Sequence, residues 1–329
     1  MKIFITGATG YVGQKLLLEA LHRGYTVHAL VRDLNSKDIP AHPQLTLFKG
    51  DITDKETILT AMKGCESVLH TAAIAKLRIH DPKLFYTVNV EGTRNVLDAA
   101  KEVGVKKFVL TSTGAVIGPS GKHPMTEDDP RVLTLENDYE VTKHLAEELV
   151  REYNKRGLPT NIVAISRVYG PGLFTTGKAV NRILVKIMKN GMAFAPVKGD
   201  VVANYVFIDD VVKGHFLVLE RGRAGEKYII GGENISYDAF FRAICRNAPK
   251  KIRVFRTPKA LLMIWGFLHM MAYSIAGKQT NISPRTIRRI FQNRALSSEK
   301  AIREFGYSIT PFDEGIRTTI LHLQSTHNV

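Results

Sequence analysis

Short apolar runs alternate with amphipathic segments through the first 170 residues. The runs predict buried strands, and the segments between them repeat their apolar positions with the period of a helix. The predicted strands are Lys2–Thr6, Thr26–Val31, Leu45–Lys49, Ser67–Thr71, Lys107–Ser112 and Asn161–Arg167. The predicted helices include Gly13–Arg23, Asp54–Met62, Phe85–Val103 and Asp138–Arg156. This alternation predicts an α/β fold, a doubly wound parallel sheet of the Rossmann type with helices on both faces.

The pattern loosens after residue 172, although two strands and a helix are still predicted, at Asn204–Ile208, Lys227–Ile230 and Asp210–Glu220. From Ile235 onward the pattern predicts helices, ending in a polar tail after Leu323. We therefore expect a dinucleotide-binding domain over residues 1–170, to which residues 203–222 return. A smaller, mostly helical substrate-binding lobe is expected over residues 171–329, against the carboxyl edge of the sheet.

The composition is that of a globular enzyme, with 44% hydrophobic and 23% charged residues. Cys65 and Cys245 lie far apart and without a CxxC partner, which argues against a disulfide scaffold or a zinc site. No cluster of metal ligands is present in the sequence, so no metal is expected. The first strand begins at the start of the chain with no secretory pattern before it, so a cytoplasmic location is expected.

The net charge of +15 is concentrated between Arg246 and Arg303, where thirteen basic residues accompany one acid, Glu299. Inside this segment lies an apolar run, Ala260–Ala276, which falls short of the ~20 residues needed to span a bilayer. One interpretation is a helix packed on the substrate pocket. The other is peripheral contact of residues 246–303 with an anionic membrane. Nucleic-acid binding is disfavoured because no stacking aromatic residues are interleaved with the charges.

Three glycines separate the first strand from the first helix in the sequence TGATGYVG, Thr6–Gly13. Gly7 permits a tight turn, Gly10 lets the backbone approach a pyrophosphate, and Gly13 lets the helix pack closely on the strand. The N-terminus of the helix then presents N–H groups to the phosphates. Because the turn follows a strand and opens an amphipathic helix, it predicts dinucleotide binding.

The end of the second strand indicates which dinucleotide is bound. An acidic side chain here binds the adenosine ribose of NAD, whereas a basic one accommodates the 2′-phosphate of NADP. We align Val31 with the acid-bearing position, which leaves Arg32 for bidentate pairing with a phosphate and Lys37 to add to it. NADP(H) is therefore favoured over NAD(H). Asp33 keeps NAD(H) open as the alternative.

Tyr139 and Lys143 lie four residues apart at the start of a predicted helix and so share one helix face. An ammonium lowers the pKa of a neighbouring phenol, which lets the phenol exchange a proton with a carbonyl or an alcohol. One strand upstream, Leu110–Gly114 ends in hydroxyl residues at the carboxyl edge of the sheet. A hydroxyl there can stabilise a developing oxyanion. Together these features predict carbonyl or alcohol redox chemistry.

With these residues placed, the chain resembles the extended short-chain dehydrogenase/reductases, also called the NAD-dependent epimerase/dehydratase family, over nearly its whole length. The segments that carry the resemblance are Thr6–Gly13, Asp51-Ile52, His70–Ala73 (HTAA), Asn89–Thr93 (NVEGT), Tyr139 with Lys143, and Tyr169–Gly172 (YGPG). The stretch Gly225–Asn234 is most similar to the dihydroflavonol-reductase-like branch. That branch does not fix a substrate.

The resemblance implies a set of site residues. The catalytic residues are Thr113, Tyr139 and Lys143. Thr113 is chosen because Thr113–Gly118 fits the register of the family, and Ser112 is the alternative to it. The cofactor-binding residues are Gly7, Thr9, Gly10, Tyr11, Val12, Arg32, Asp51, Ile52, Thr71, Ala72, Ala73, Asn89, Tyr139, Lys143 and Ser166. Ser166, with Ile165 as its alternative, stands where the family often has an Arg-Pro pair.

Three functions are compared. The first is an NADP(H)-dependent reductase or dehydrogenase that acts on a ketone, aldehyde or secondary alcohol of a fairly apolar molecule, with Tyr139 as general acid/base. The alternative is an NAD-dependent nucleotide-sugar epimerase or dehydratase, which is weakened because Ala203-Asn204 replaces an Arg-Asp pair. A redox-sensing regulator is disfavoured because such relatives lose the Tyr–Lys pair. The expected partner is a small-molecule substrate. The sequence is also compatible with a homodimer.

Overall fold

The computed structural model describes residues 1–75, 81–173, 179–276 and 284–327. The strands are β1 Lys2–Thr6, β2 Thr26–Val31, β3 Leu45–Lys49, β4 Ser67–His70, β5 Lys107–Thr113, β6 Thr160–Ile165, β7 Arg167–Tyr169, β8 Met192–Pro196, β9 Val202–Phe207, β10 Lys227–Ile230, β11 Glu233–Ser236 and β12 Arg253–Thr257. The helices are α1 Tyr11–His22, α2 Lys55–Met62, α3 Lys83–Tyr86, α4 Gly92–Val103, α5 Gly114–Ile117, α6 Asp138–Lys155, α7 Ala179–Asn190, α8 Ile208–Arg221, α9 Tyr237–Asn247, α10 Lys259–Ile275, α11 Pro284–Ile290, α12 Glu299–Phe305 and α13 Phe312–His327.

The main sheet has seven parallel strands in the order β10-β6-β5-β4-β1-β2-β3. The strand order reverses between β1 and β4, which creates a topological switch point where ligands bind in such sheets. The predicted Rossmann-type sheet is therefore confirmed, and six of its strands come from the first 170 residues. The seventh, β10, returns from the second half of the chain and lies beside β6.

Alternate residues of each strand enter one of two hydrophobic layers, because side chains of a strand point to opposite faces. On one face Ile3 and Ile5 pack with Leu16 of α1 and Phe216 of α8. On the other face Phe4 packs with side chains of α2, α4 and α6. Strands buried on both sides explain why the sequence shows continuous apolar runs here.

Residues 203–222 divide between the two parts of the molecule. Strand β9 pairs with β7 and β11 in a small separate sheet, while α8 packs on the face of the main sheet. Helices α7, α9 and α13 build the core of the C-terminal part around Phe207, Phe240 and Phe312. This part is mostly helical, as expected.

One detail of the C-terminal prediction is wrong. Residues after 235 are not helical throughout, because Arg253–Thr257 forms strand β12, paired in parallel with the unpredicted strand β8. Both strands are partly exposed, and their pairing partners are far apart in sequence, so no apolar run marks them. The first polar residues after Leu323 belong to α13, which continues to His327.

Candidate active site

Close approaches of the backbone shape the turn between β1 and α1. Gly7 has a φ of +74°, in the left-handed region, and a Cβ there would lie 2.6 Å from Thr71 Oγ1. A Cβ on Gly13 would lie 2.1 Å from the Gly7 carbonyl oxygen, so α1 can approach β1 only without a side chain at this position. A Cβ on Gly10 would meet only that same oxygen, at 3.1 Å. No side chain caps α1 and its first turn carries no acid, so the N-terminus can receive an anion.

A chain of hydrogen bonds joins the carboxyl ends of β1 and β4. The Thr6 hydroxyl lies 2.7 Å from His70 Nδ1, and His70 Nε2 lies 3.0 Å from Thr93 Oγ1. Thr93 in turn donates to the Asn89 carbonyl oxygen at 2.7 Å. Burial, and secondarily Lys143, lowers the pKa of His70 to about 3, so its imidazole is neutral. His70 therefore has a structural place at the switch point, and both of its ring nitrogens are engaged.

Asn89 lies in a π-helical turn, Thr87–Glu91, between α3 and α4. Its Nδ2 donates to Thr142 Oγ1 at 3.1 Å and to the Ile74 carbonyl oxygen at 3.3 Å, and the Ile74 N–H donates to its Oδ1 at 2.7 Å. Asn89 thus ties the loop after β4 to α6. Turns of π-helix are frequent at functional sites because they redirect side chains within a helix.

Thr113 ends β5, and its hydroxyl lies close to the Tyr139 phenol. Burial raises the pKa of Tyr139 to about 12, although the Thr113 hydroxyl acts in the opposite direction. The sequence predicted a lowered pKa for Tyr139. For the chain without cofactor this prediction is wrong, because burial raises the pKa. Ser112 is buried and donates to Glu147 Oε1 at 2.6 Å. Of the two neighbouring hydroxyls, Thr113 is the one in contact with Tyr139.

Lys143 is 3% exposed and donates to the Thr111 carbonyl oxygen at 2.7 Å. Burial lowers its pKa to about 8, and Glu147 counteracts this. Burial alone would raise the pKa of Glu147, but the nearby Lys227 ammonium, 2.8 Å away, and the Ser112 hydroxyl outweigh burial and lower it. Helix α6, which carries Tyr139 and Lys143, therefore contains a buried network of charges that the sequence did not predict.

The residues expected near the adenosine lie at the ends of β2 and β3. Arg32 and Asp33 are both exposed, and Asp33 Oδ1 accepts a hydrogen bond from the Asn35 N–H at 2.9 Å. Within the described chain, no carboxylate pairs with Arg32. Asp51 is half-buried and Ile52 is buried beside it. Asp33 is thus engaged in a local turn, whereas the Arg32 guanidinium has no ion pair.

A cavity of about 260 Å³ lies between the carboxyl end of the main sheet and the C-terminal part. The residues that line it are Thr113, Gly114, Ala115, Gly118, Ile165, Ser166, Arg167, Asn204, Thr286, Arg289, Ile290, Arg294 and Leu296. The Ser166 hydroxyl is buried and has no hydrogen-bond partner among the described residues. Sequence reasoning identified Thr113 and Ser166 here but missed the residues after 200, for which no local spacing gave a signal.

Four arginines surround two acids beside this cavity. Arg131 and Arg289 bind Glu140, which is completely buried, and Arg294 lies 3.4 Å from Glu136. Burial, together with Arg289, lowers the pKa of Arg294 to about 10. The fourth arginine, Arg167, hydrogen-bonds the Tyr205 hydroxyl at 3.2 Å. Cations therefore exceed carboxylates in this cluster, which suits a ligand that carries negative charge.

The structure brings most of the predicted site residues to one edge of the sheet. The carboxyl ends of β1, β4 and β5 carry or adjoin Gly7, Gly10, residues 71–73, Asn89 and the group of Thr113, Tyr139 and Lys143. The side chains of Tyr11 and Val12 pack in the core instead, and the Tyr11 hydroxyl donates to the Gly170 carbonyl oxygen at 2.9 Å. These two residues can reach a cofactor only through their backbone. No cluster of metal-ligating side chains occurs among the described residues.

Comparison with known proteins places this geometry in a family. The family model described as "NAD dependent epimerase/dehydratase family" matches residues 3–231. The chain is 29% identical over 326 residues to a 3-beta-hydroxysteroid dehydrogenase of Mycolicibacterium neoaurum, covering 93% of this chain and 86% of that protein. It is 28% identical over 316 residues to a Synechocystis sp. protein provisionally named dihydroflavonol 4-reductase, covering 92% and 89% of the two chains.

A solved structure supports the same fold. The UDP-glucose 4-epimerase of Thermotoga maritima, determined with UDP-glucose, superposes with a TM-score of 0.79 at 22% identity and covers 99% of each chain. At that identity the likeness concerns the fold alone. The family model, in contrast, covers more than half of the chain, and its span contains every predicted site residue. This chain belongs to the NAD-dependent epimerase/dehydratase family and is an NAD(P)-dependent enzyme of the extended short-chain dehydrogenase/reductase type.

Proposed function

We propose that the protein is an NADP(H)-dependent dehydrogenase or reductase that interconverts a secondary alcohol and a ketone on a fairly apolar molecule. The observation that carries this proposal is the arrangement of three side chains: Thr113 at the end of β5 lies close to Tyr139 of α6, and Lys143, one helical turn further, donates to the Thr111 carbonyl oxygen of β5 at 2.7 Å. The cavity that opens beside Thr113 receives the substrate. Residues 1–170 then bind the dinucleotide, and residues 171–329 supply most of the substrate-binding lobe.

The residues present fit a nicotinamide dinucleotide. The tight glycine turn before α1 and the uncapped N-terminus of that helix suit its pyrophosphate. The buried Ser166 hydroxyl, which has no partner among the described residues, suits a polar group of the nicotinamide end. At the other end, Arg32 is exposed and forms no ion pair with the described residues, which suits the 2′-phosphate that distinguishes NADP from NAD. When bound, the nicotinamide ring supplies or accepts the hydride.

The remaining chemistry belongs to three side chains. In the reductive direction Tyr139 donates its proton to the carbonyl oxygen, and its pKa of about 12 keeps the phenol protonated at neutral pH. Thr113 donates a hydrogen bond to the same oxygen as negative charge develops on it. Lys143, charged below its pKa of about 8, stabilises the phenolate that remains on Tyr139. In the oxidative direction the phenol first loses its proton, so oxidation should accelerate as the pH rises.

The substrate class rests on the relatives. A 3-beta-hydroxysteroid, named for the Mycolicibacterium relative, is an apolar secondary alcohol. We would incubate the purified protein with NADPH and a panel of apolar ketones that includes 3-ketosteroids, and follow NADPH absorbance and product formation. Stoichiometric consumption of NADPH and ketone is expected. A panel without turnover in either direction, with NADPH bound, would contradict the proposed substrate class.

A nucleotide-sugar epimerase or dehydratase is the second candidate, and the surplus of arginines beside the cavity favours it. A nucleotide diphosphate or a carboxylate of the substrate would supply the missing negative charge. The two candidates differ in cofactor use, because an epimerase regenerates its cofactor within each cycle. Conversion of a nucleotide sugar without net consumption of NAD(P)H would establish this candidate in place of the first.

A further inference from the structure

Helix α10 exposes a continuous apolar face. The exposed fractions of Leu261, Ile264, Trp265, Leu268 and Ile275 are 57%, 56%, 50%, 60% and 84%. Relative to Leu261 these positions follow at three, four, seven and fourteen residues, so their side chains share one face of the helix. No charged residue occurs between 260 and 276. Contiguous apolar surface of this kind on a folded protein marks a site of contact with a partner or a membrane.

The opposite face of α10 is attached to the protein. Gly266 is buried, Leu262 and Met263 are half-buried, and the helix packs against α11. At 17 residues α10 is roughly 25 Å long, shorter than the ~30 Å hydrocarbon core of a bilayer. No helix in the described ranges is long and apolar enough to cross a membrane. The geometry is therefore that of a helix lying along a surface.

Basic side chains accumulate where the chain enters α10. Lys250, Lys251, Arg253 and Lys259 are exposed and form no ion pair with any carboxylate of the described chain. Arg285 and Arg288, one turn apart on α11, are exposed as well. An apolar helix face flanked by unpaired cations is complementary to the headgroups and outer acyl chains of an anionic bilayer. A second copy of the same face would bring these cations against each other, which disfavours self-association there.

The same region adjoins the active-site cavity. Thr286, Arg289 and Ile290 of α11 line the cavity together with Thr113. Helix α10 packs on α11, so one helix separates the apolar surface from the place where the substrate is proposed to react. An apolar alcohol or ketone dissolved in a bilayer would thus have a short path into the cavity.

We propose that the protein docks on anionic membrane surfaces through the α10 surface, defined as the exposed apolar face of α10 and the unpaired basic residues at its N-terminal end, Lys250, Lys251, Arg253 and Lys259. The apolar face inserts among the lipid headgroups while the basic residues contact their phosphates. The membrane contact stands on the surface itself. Its purpose, delivery of a lipid-soluble substrate, rests on the proposed function.

Trp265 is the only tryptophan of the chain, so its fluorescence reports on α10 alone. We would add vesicles of phosphatidylglycerol and phosphatidylcholine in equal amounts, and separately vesicles of phosphatidylcholine, to the full chain without cofactor or substrate. A blue shift of the emission and co-sedimentation with the anionic vesicles are expected, and both should weaken as salt is added. If both signals are absent at low salt, the proposal is overturned.

Variants identify the surface. The double variant Ile264→Asp/Leu268→Asp should lose at least tenfold in affinity for the anionic vesicles. Leu321→Asp on α13, whose side chain is as exposed as Leu268 at 61%, is the matched control and should bind as the parent does. Lys250→Glu/Lys251→Glu should weaken binding and flatten its salt dependence. If light scattering shows a dimer that the Ile264→Asp/Leu268→Asp variant dissociates, the face is covered by a second copy and the proposal is wrong.

A final measurement separates this proposal from the proposed enzyme activity. The parent and the Ile264→Asp/Leu268→Asp variant would be assayed with a small water-soluble ketone and with an apolar ketone dissolved in anionic vesicles. The variant should match the parent on the soluble ketone and lose at least fivefold on the vesicle-borne one. Equal rates on both would contradict delivery from the membrane while leaving the assigned chemistry intact. Vesicle binding without any turnover would contradict the assigned chemistry alone.

Discussion

Helices α6 and α10 have nearly the same length, 18 and 17 residues, and reverse the usual relation between polarity and burial. Helix α6 is rich in charged residues, yet Glu140, Lys143 and Glu147 are almost fully buried. Helix α10 contains mostly apolar residues, yet Gly266 is its one buried residue. Polarity alone therefore does not tell where a helix of this protein lies.

The physical reason differs between the two helices. Each buried charge of α6 has partners, as when Glu140 binds Arg131 and Glu147 binds Lys227, so its desolvation is compensated. These partners hold the Tyr–Lys pair rigid at the edge of the sheet. The apolar face of α10 has no protein partner in the described chain, and its position leaves it available to a lipid surface. Helix α6 carries the proposed catalytic pair, and α10 carries the proposed membrane-docking face.

The largest expected effect tests the role of α6. Tyr139→Phe should lower kcat by about 10²–10⁴-fold, because the proton donor is removed while the ring remains. Binding of NADPH and of anionic vesicles should not change. Tyr153→Phe on the same helix is the control, since its hydroxyl contacts Asp98 away from the site. Full activity of Tyr139→Phe would show that α6 does not supply the acid.

Removal of the two hydroxyls at the end of β5 should have different effects, one on activity and the other on stability. Thr113→Ala should lower kcat about 10²-fold through loss of an oxyanion donor, with little change in Tm. Ser112→Ala should instead lower the free energy of unfolding by about 1–3 kcal/mol, because Glu147 loses a buried hydrogen bond. Steady-state kinetics and thermal unfolding distinguish the two variants. A large loss of kcat in Ser112→Ala alone would reverse the assignment.

The dinucleotide end should show an effect of intermediate size. Arg32→Ala should weaken NADPH binding by about tenfold to a hundredfold, which corresponds to a charge-assisted hydrogen bond of ~1.5–3 kcal/mol. Binding of NADH should be unchanged, and Lys37→Ala should have a smaller effect on NADPH. Titration calorimetry with both cofactors measures these constants. Tighter binding of NADH than NADPH by the parent chain would refute the NADP(H) preference.

The pH dependence should report the buried Lys143. Because burial lowers the pKa of its ammonium to about 8, the group is charged below that pH and neutral above it. Reductive kcat/KM should therefore be flat at neutral pH and fall about tenfold per unit above pH 8, well before Tyr139 titrates. A pH–rate profile with NADPH measures this. A flat profile up to pH 10 would mean that the charge of Lys143 is not needed.

The smallest effect belongs to α10. Leu268→Asp should change the free energy of unfolding by no more than about 0.5 kcal/mol, because its side chain is already exposed to water. Leu149→Asp, which places a charge in the buried face of α6, should cost several kcal/mol by comparison. Urea unfolding followed by circular dichroism compares the two. Similar destabilisation by both substitutions would show that α10 is packed against the protein after all.

Sequence reasoning worked best where the signal is local. The bounds of β1, β2 and β3 agree with the predicted strands. For β1 and β2 the reason is burial, since strands covered on both faces show as nearly continuous apolar runs. The glycine turn and the Tyr–Lys pair were found for a similar reason, since each chemical role depends on residues within one turn or one helix. Strands β8 and β12 escaped prediction because they are exposed on one side and paired across a long stretch of chain.

The sequence by itself determined the fold class and the family, and it predicted the place of the dinucleotide and the proton-transfer residues, because these depend on short-range periodicity and spacing. Only the tertiary structure decided that Thr113 rather than Ser112 contacts Tyr139, because adjacent residues of a strand point to opposite sides. Only the tertiary structure brought Arg167 and Arg294 to one cavity and left the apolar face of α10 exposed. Burial depends on which distant segments pack together, and no local pattern of residues encodes that.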